Sequence, residues 1–158
     1  MIPVGIITVS DRVFRGEYKD KSGPALKQFF KKRGWSVIAS AVVPDEEALI
    51  GDKVVELTKT CPLVLLTGGT GIAQRDVTPE AVRAVASKEL PGFGEVMRAK
   101  SFKSFPNAIL SRNMAAVVGW SLVICLPGNP KGAVECLEFV VDAIPHAIDL
   151  LKGKTDHK

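Results

Sequence analysis

Leu63-Val64-Leu65-Leu66 runs directly into Thr67-Gly68-Gly69-Thr70-Gly71, and this junction constrains the fold more than any other segment. An uncharged run of Leu and Val reads as a strand buried on both faces, the kind found in parallel sheets. Glycines at Gly68, Gly69 and Gly71 let the backbone turn sharply and bring its N–H groups close to an acceptor-rich group, most often phosphate. Arg75 and Asp76 follow, and Asp76 lies beside that cradle, where a carboxylate can hold a divalent cation or orient a polar substrate. Thr78-Pro79-Glu80 then reads as an N-cap, a first-turn proline and a first-turn acid, so the loop closes onto a helix N-terminus. The plain alternative is a flexible strand-to-helix connection, although such a turn rarely needs so many glycines.

The surrounding pattern alternates. Val4–Ser10 reads as a strand, Ser22–Arg33 as a helix ended by Gly34, and Trp35–Val43 as a strand closed by Pro44. A helix capped by Asp45 follows, with Ile50, Val54 and Leu57 on one face, and Leu63–Thr67 is the third strand. Strand and helix in strict alternation indicate an α/β fold with a mostly parallel sheet covered on both faces. Further on, Pro79–Ser87 reads as a helix and Pro91-Gly92-Phe93-Gly94 as a break before Glu95–Lys100. Ala115–Val118 and Ser121–Leu126 read as a strand pair. The loop Pro127-Gly128-Asn129-Pro130-Lys131 leads into a long helix kinked at Pro145, with Ala133, Leu137, Val140, Ile144, Ile148 and Leu151 facing inward, and Lys152–Lys158 reads as a polar tail.

At 158 residues, with no linker or internal repeat, residues 1–158 read as one domain able to bury roughly 70% of its unfolded surface. The net charge of +4 suits anionic ligands but is too small and scattered to indicate nucleic acid. Cys61, Cys125 and Cys136 have no paired spacing, and His146 and His157 form no triad or metal spacing with them. Reduced thiols in a cytoplasmic protein are therefore expected, without disulfides or zinc. No targeting segment is evident. The uncharged stretch from Asn113 to Pro130 has an apolar part, Met114 to Leu126, that falls short of the roughly 20 residues a membrane span needs.

Four loops follow strands at what is expected to be one edge of the sheet, where open α/β sheets bind ligands. They carry Ser10-Asp11-Arg12, Asp45, Gly68 to Asp76, and Pro127 to Lys131. Asp45 also admits a simple N-cap role, Asp11 a local ion pair with Arg12, and Asn129 simple turn chemistry. The glycine loop lacks the Gly-Lys-Ser/Thr ending of a P-loop and the third glycine of a dinucleotide fingerprint.

Taken in order, Thr8-Val9-Ser10-Asp11, Val43-Pro44-Asp45-Glu46, Thr67 to Gly71, Arg75 to Ala81, Pro91 to Gly94, Leu110-Ser111-Arg112 and Leu126 to Pro130 resemble the MoaB/Mog family of molybdenum cofactor biosynthesis. The resemblance runs from about residue 4 to residue 153, and the Asp-Val-Thr-Pro and Pro-Gly-Phe-Gly blocks resemble its Mog-type, gephyrin-like branch. It implies a three-layer α/β/α sandwich, a homotrimer and molybdopterin adenylyltransferase activity. In that activity the terminal phosphate of molybdopterin attacks the α-phosphorus of ATP with Mg²⁺ present, and the product goes to a separate molybdate-inserting partner.

By the same resemblance Asp45 and Asp76 are the catalytic and Mg²⁺-binding carboxylates, and Gly68, Gly69, Thr70 and Gly71 wrap the nucleotide phosphates. Ser111, Arg112 and the loop Pro127, Gly128, Asn129, Pro130 contact the pterin and its phosphate, while Ser10, Asp11 and Arg75 complete the cleft. Val118 stands where relatives often carry Arg and Cys125 where they often carry Asn, so Arg112, Arg75 or Lys131 is expected to supply the cation. A molybdopterin carrier of the same fold is the alternative. A molybdate-insertion domain normally sits in a much longer chain.

Overall fold

The structure, a computed structural model, describes residues 1–154. Six strands form one sheet: β1 (Pro3–Val9), β2 (Ser36–Val43), β3 (Leu63–Thr67), β4 (Lys88–Glu89), β5 (Met114–Val118) and β6 (Ser121–Leu126), in the order β2-β1-β3-β6-β5-β4. β2, β1, β3 and β6 are mutually parallel, β5 runs antiparallel to β6, and β4 antiparallel to β5. The helices are α1 (Asp11–Phe14), α2 (Ser22–Lys32), α3 (Glu47–Thr58), α4 (Thr78–Val85), α5 (Pro91–Phe102), α6 (Pro130–Val140) and α7 (Ile144–Leu151).

The two-residue period of the strands divides the core into two layers. Val4, Ile6, Leu63, Leu65, Leu122 and Ile124 face α2, α5, α6 and α7, where they meet Phe30, Met97, Leu137 and Ile144. Ile7, Val9, Val64, Leu66, Val123 and Cys125 face α3 and α4, where they meet Ile50, Val54 and Val82. Every residue of β3 is buried, as a strand covered on both sides requires. The result is an α/β/α sandwich.

Register is what positions the site. Val9 pairs with Val43, Thr8 with Thr67, and Thr67 with Leu126, so the parallel strands end nearly level. Ser10, Asp45, Gly68 and Pro127 therefore emerge side by side on one rim. Short bonds tie them together: Ser10 N–H donates to the Val43 carbonyl at 3.0 Å, Gly68 N–H to the Leu126 carbonyl at 3.1 Å, and Thr67 Oγ1 to the Pro127 carbonyl at 2.7 Å.

Three local expectations are corrected. Pro91 does not break a helix but opens α5, where its missing N–H would have had no partner anyway. Instead of one helix kinked at Pro145, α6 stops at Val140, a 3-10 turn spans Val141–Ala143, and α7 restarts with Pro145 in its first turn. Thr78 is the first residue of α4, after Val77 at the cap, and its side chain serves the glycine loop. The expected tail includes residues 155–158, which lie outside the described residues, as does His157; His146 is exposed on α7. No helix among the described residues is long and apolar enough to cross a membrane.

Candidate functional site

The glycine loop is held in a shape that only glycine permits. Gly68 and Gly69 have φ of +104° and +68°, values that cost other residues strain. A Cβ on Gly68 would lie 2.2 Å from the Val9 carbonyl oxygen, and one on Gly69 2.3 Å from Thr78 Oγ1. The loop thus lies directly on the end of β1 and on the start of α4. Thr78 fastens it there: its hydroxyl donates to the Gly68 carbonyl at 2.8 Å and its N–H to the Gly69 carbonyl at 3.1 Å. A side-chain hydroxyl used in this way is not free to cap its own helix.

Arg112 fastens the other end. Its Nε donates to the Gly71 carbonyl at 2.8 Å, its Nη2 to the Asp76 carbonyl at 2.7 Å, and its Nη1 to Glu80; its N–H donates to the Thr70 carbonyl at 2.8 Å. The planar guanidinium fork suits this simultaneous reach. Burial pushes the Glu80 carboxyl upward, but the Arg112 hydrogen bond outweighs it and holds the group below its ordinary range. Arg112 is therefore a clasp on the loop.

Asp45 caps no helix; Glu46 occupies the cap position of α3 without a side-chain bond. Its carboxylate turns toward the rim, where Oδ2 accepts the Asp11 N–H at 2.9 Å. Asp11 pairs with Arg75 instead of Arg12, through Nε at 2.6 Å and Nη2 at 3.0 Å. This fork holds the Asp11 carboxyl below its ordinary range. Asp45 moves the opposite way: burial raises it, and the nearby charges of Asp11 and Asp76 add to the effect. A partly buried carboxylate crowded by two others attracts a cation. Asp76 Oδ2 accepts the Ala73 N–H at 3.0 Å and lies where a Cβ on Gly71 would come within 2.7 Å.

Asp45 and Asp76 line one cleft of about 390 Å³ together with Ser10, Gly68, Gly69, Gly128, Asn129 and Pro130. Asn129 caps α6, its Oδ1 accepting the Gly132 N–H at 3.0 Å. Thr70, Gly71, Asp11, Arg75 and Pro127 are not among the cleft's lining residues; Pro127 is tied to the lining through its carbonyl, which accepts the Thr67 hydroxyl. Ser111 and Arg112 lie along a separate cleft of about 280 Å³ beside α5, where Arg98 Nη1 donates to the Asn113 carbonyl at 2.7 Å. The main cleft also has a wall absent from the sequence reading: Tyr18, Lys19, Asp20 and Lys21, between α1 and α2. The available signal was an aromatic residue among lysines just after the first rim loop. Among the described residues, no group of three or more His, Cys, Asp or Glu side chains is placed to hold a metal by itself.

Residues 5–146 match the family model described as a probable molybdopterin binding domain. This chain belongs to the MoaB/Mog family of molybdopterin binding domains. It is 44% identical over 156 residues to the molybdopterin adenylyltransferase of Helicobacter pylori J99, covering 96% of this chain and 89% of that protein. It is 42% identical over 166 residues to the molybdopterin adenylyltransferase of Escherichia coli K12, covering 95% and 85%. The crystal structure of the molybdopterin biosynthesis enzyme MoaB from Thermus thermophilus superposes with a TM-score of 0.90 at 43% identity, covering 98% of each chain.

The two departures from the MoaB/Mog pattern prove to be interior residues. Val118 and Cys125 are buried in the layer beneath α3 and α4 and line neither cleft.

Proposed function

We propose that this member of the MoaB/Mog family is a molybdopterin adenylyltransferase, transferring AMP from ATP to the terminal phosphate of molybdopterin. The observation that carries the reading is the meeting of Asp45 and Asp76 in one cleft floored by the Gly68–Gly69 turn. The relatives described as molybdopterin adenylyltransferases support it.

The chemistry asks for no protein nucleophile. A phosphate oxygen of molybdopterin forms a bond to the α-phosphorus of ATP, the bond to the β-phosphate bridging oxygen breaks, and pyrophosphate leaves with the electron pair. The protein's task is orientation and charge neutralisation. In the proposal the Gly68–Gly71 backbone seats the nucleotide phosphates, with Thr78 and Arg112 keeping the loop in place. Asp45 and Asp76 fit Mg²⁺, a hard cation usually held by one or two carboxylates plus substrate phosphates and water. Mg²⁺, when bound, neutralises the triphosphate and makes its α-phosphorus more electrophilic. Ser10, with Gly128, Asn129 and Pro130, lines the remaining cleft; Ser111 is assigned to the pterin side. Asp11 and Arg75 set the direction of Asp45 through the rim bonds.

The proposal extends to one domain spanning the chain, to a cytoplasmic homotrimer, and to a molybdate-inserting protein that takes the product. The deciding experiment is incubation of the pure protein with molybdopterin, ATP and Mg²⁺. Metal-dependent release of pyrophosphate together with adenylylated molybdopterin is expected. Pterin binding without pyrophosphate release would show a carrier instead.

A further inference from the structure

The segment between α1 and α2 is built as an ordered strap, although its composition reads as a plain polar loop. Gly16 turns it with φ of +75°, the N–H groups of Glu17 and Tyr18 donate to the Arg12 carbonyl at 2.9 and 3.2 Å, and Arg15 forks onto Glu17. Asp20 anchors the far end, accepting the Thr8 hydroxyl at 2.9 Å and the Gly23 N–H at 3.0 Å. With Asp20 pinned inward, Lys19 and Lys21 on either side of it line the main cleft. Neither lysine has an ion-pair partner among the described residues. The half-exposed Tyr18 ring lies 5.4 Å from Lys21 Nζ and 5.1 Å from the Arg12 guanidinium carbon, linking Lys21 back to α1.

The cleft lining therefore carries both signs of charge: Asp45, Asp76 and the pinned Asp20 on the acidic side of the balance, Lys19 and Lys21 on the basic. We propose that Lys19 and Lys21 form a polyphosphate clamp that binds the β- and γ-phosphates of the nucleotide and the pyrophosphate released from them, with Tyr18 as the positioning residue for Lys21. The inference rests on the adenylyl-transfer reading and assigns the leaving-group half of that site. When the bond between the α-phosphorus and the bridging oxygen breaks, negative charge grows on the departing pyrophosphate. Ammonium donors placed there stabilise that charge more than they stabilise bound ATP.

The test is calorimetric titration of the full chain, in Mg²⁺, with inorganic pyrophosphate and separately with AMP. Lys19→Gln and Lys21→Gln are each expected to weaken pyrophosphate binding roughly tenfold, the scale of one charge-assisted hydrogen bond. AMP binding should stay within about twofold, because AMP has no β-phosphate to lose; Lys59→Gln, a change of equal charge on the far end of α3, should leave both unaltered. Tyr18→Leu should lower kcat about threefold with a smaller change in KM for ATP, because the contact counts most as charge grows on the leaving group, and Tyr18→Phe should restore it, since a ring keeps the cation contact. Equal losses for AMP and pyrophosphate, or wild-type pyrophosphate affinity in the doubly substituted protein, would overturn the clamp. Lysine-dependent pyrophosphate binding by a protein that forms no adenylylated molybdopterin would instead sink the transfer reading and leave the clamp standing.

Discussion

Asp11 and Asp45 hold each other by crossed hydrogen bonds. The Asp11 N–H donates to Asp45 Oδ2 at 2.9 Å while the Asp45 N–H donates to Asp11 Oδ1 at 3.0 Å, joining the loops after β1 and β2. Each carboxylate is thus fixed by the other residue's backbone, and their titrations move in opposite directions.

That opposition sets a pH signature. Asp45 is raised above its ordinary 3.8, so its contribution to stability is fully present below that value and is lost as pH rises through the folded value. Asp11 is lowered, so its contribution is present above 3.8 and is lost as pH falls through the folded value. Asp45→Asn keeps an acceptor for the Asp11 N–H and removes the crowded charge. Its melting temperature at pH 7 should equal or exceed that of wild type, the gain shrinking toward pH 3, while adenylyl transfer falls roughly 10²-fold or more. Thermal melts across this range, paired with pyrophosphate release, check both halves.

Asp76→Asn should cost a similar roughly 10²-fold in activity. Gly71→Ala offers a way to move the same carboxylate without replacing it, because the new Cβ would come within 2.7 Å of Asp76 Oδ2. Only the end of a side chain must shift, so a melting temperature within a few degrees of wild type is expected beside a clear loss of kcat. Gly69→Ala is different. It meets Thr78 Oγ1 at 2.3 Å in a left-handed backbone and should destabilise the fold by about 1–3 kcal/mol. Chemical denaturation of the two variants separates them.

Arg112 and Ser111 are neighbours in sequence with separate expected effects. If Arg112 served by charge alone, lysine would replace it; as a fork across Gly71, Asp76 and Glu80 it has no lysine equivalent. Arg112→Lys should therefore lose activity nearly as fully as Arg112→Ala, with stability reduced by about 1–3 kcal/mol. Ser111→Ala is expected to weaken molybdopterin binding more than ATP binding, and equal effects would refute the assignment of Ser111 to the pterin side. Separate titrations with each substrate give the comparison.

Cys61, Cys125 and Cys136 are all free and buried. Burial pushes the Cys125 thiol up to about 12 and raises Cys136 as well. Thiolate is the reactive form, so native protein at pH 8 should react negligibly with a thiol reagent and should titrate all three cysteines once unfolded. Rapid labelling of native protein would count against this packing.

The parallel core and the rim were legible from local pattern alone. The uncharged β3 and the helical spacing of Ile50, Val54 and Leu57 are such patterns, and each element buries the residues they mark. The motifs at Gly68–Gly71, Asp45 and Asp76 were legible because chemistry after a strand in this fold class collects at one edge. Partner choice was not legible. Thr78 and Asp45 both carry side chains suited to capping, yet one bonds Gly68 and the other Asp11, because loops distant in sequence arrive beside them. Arg112 became a clasp and Lys19 with Lys21 became a cleft wall for the same reason. A hydrogen bond or a charge contact depends on distance in space, and only strand register sets that distance for residues far apart in the chain.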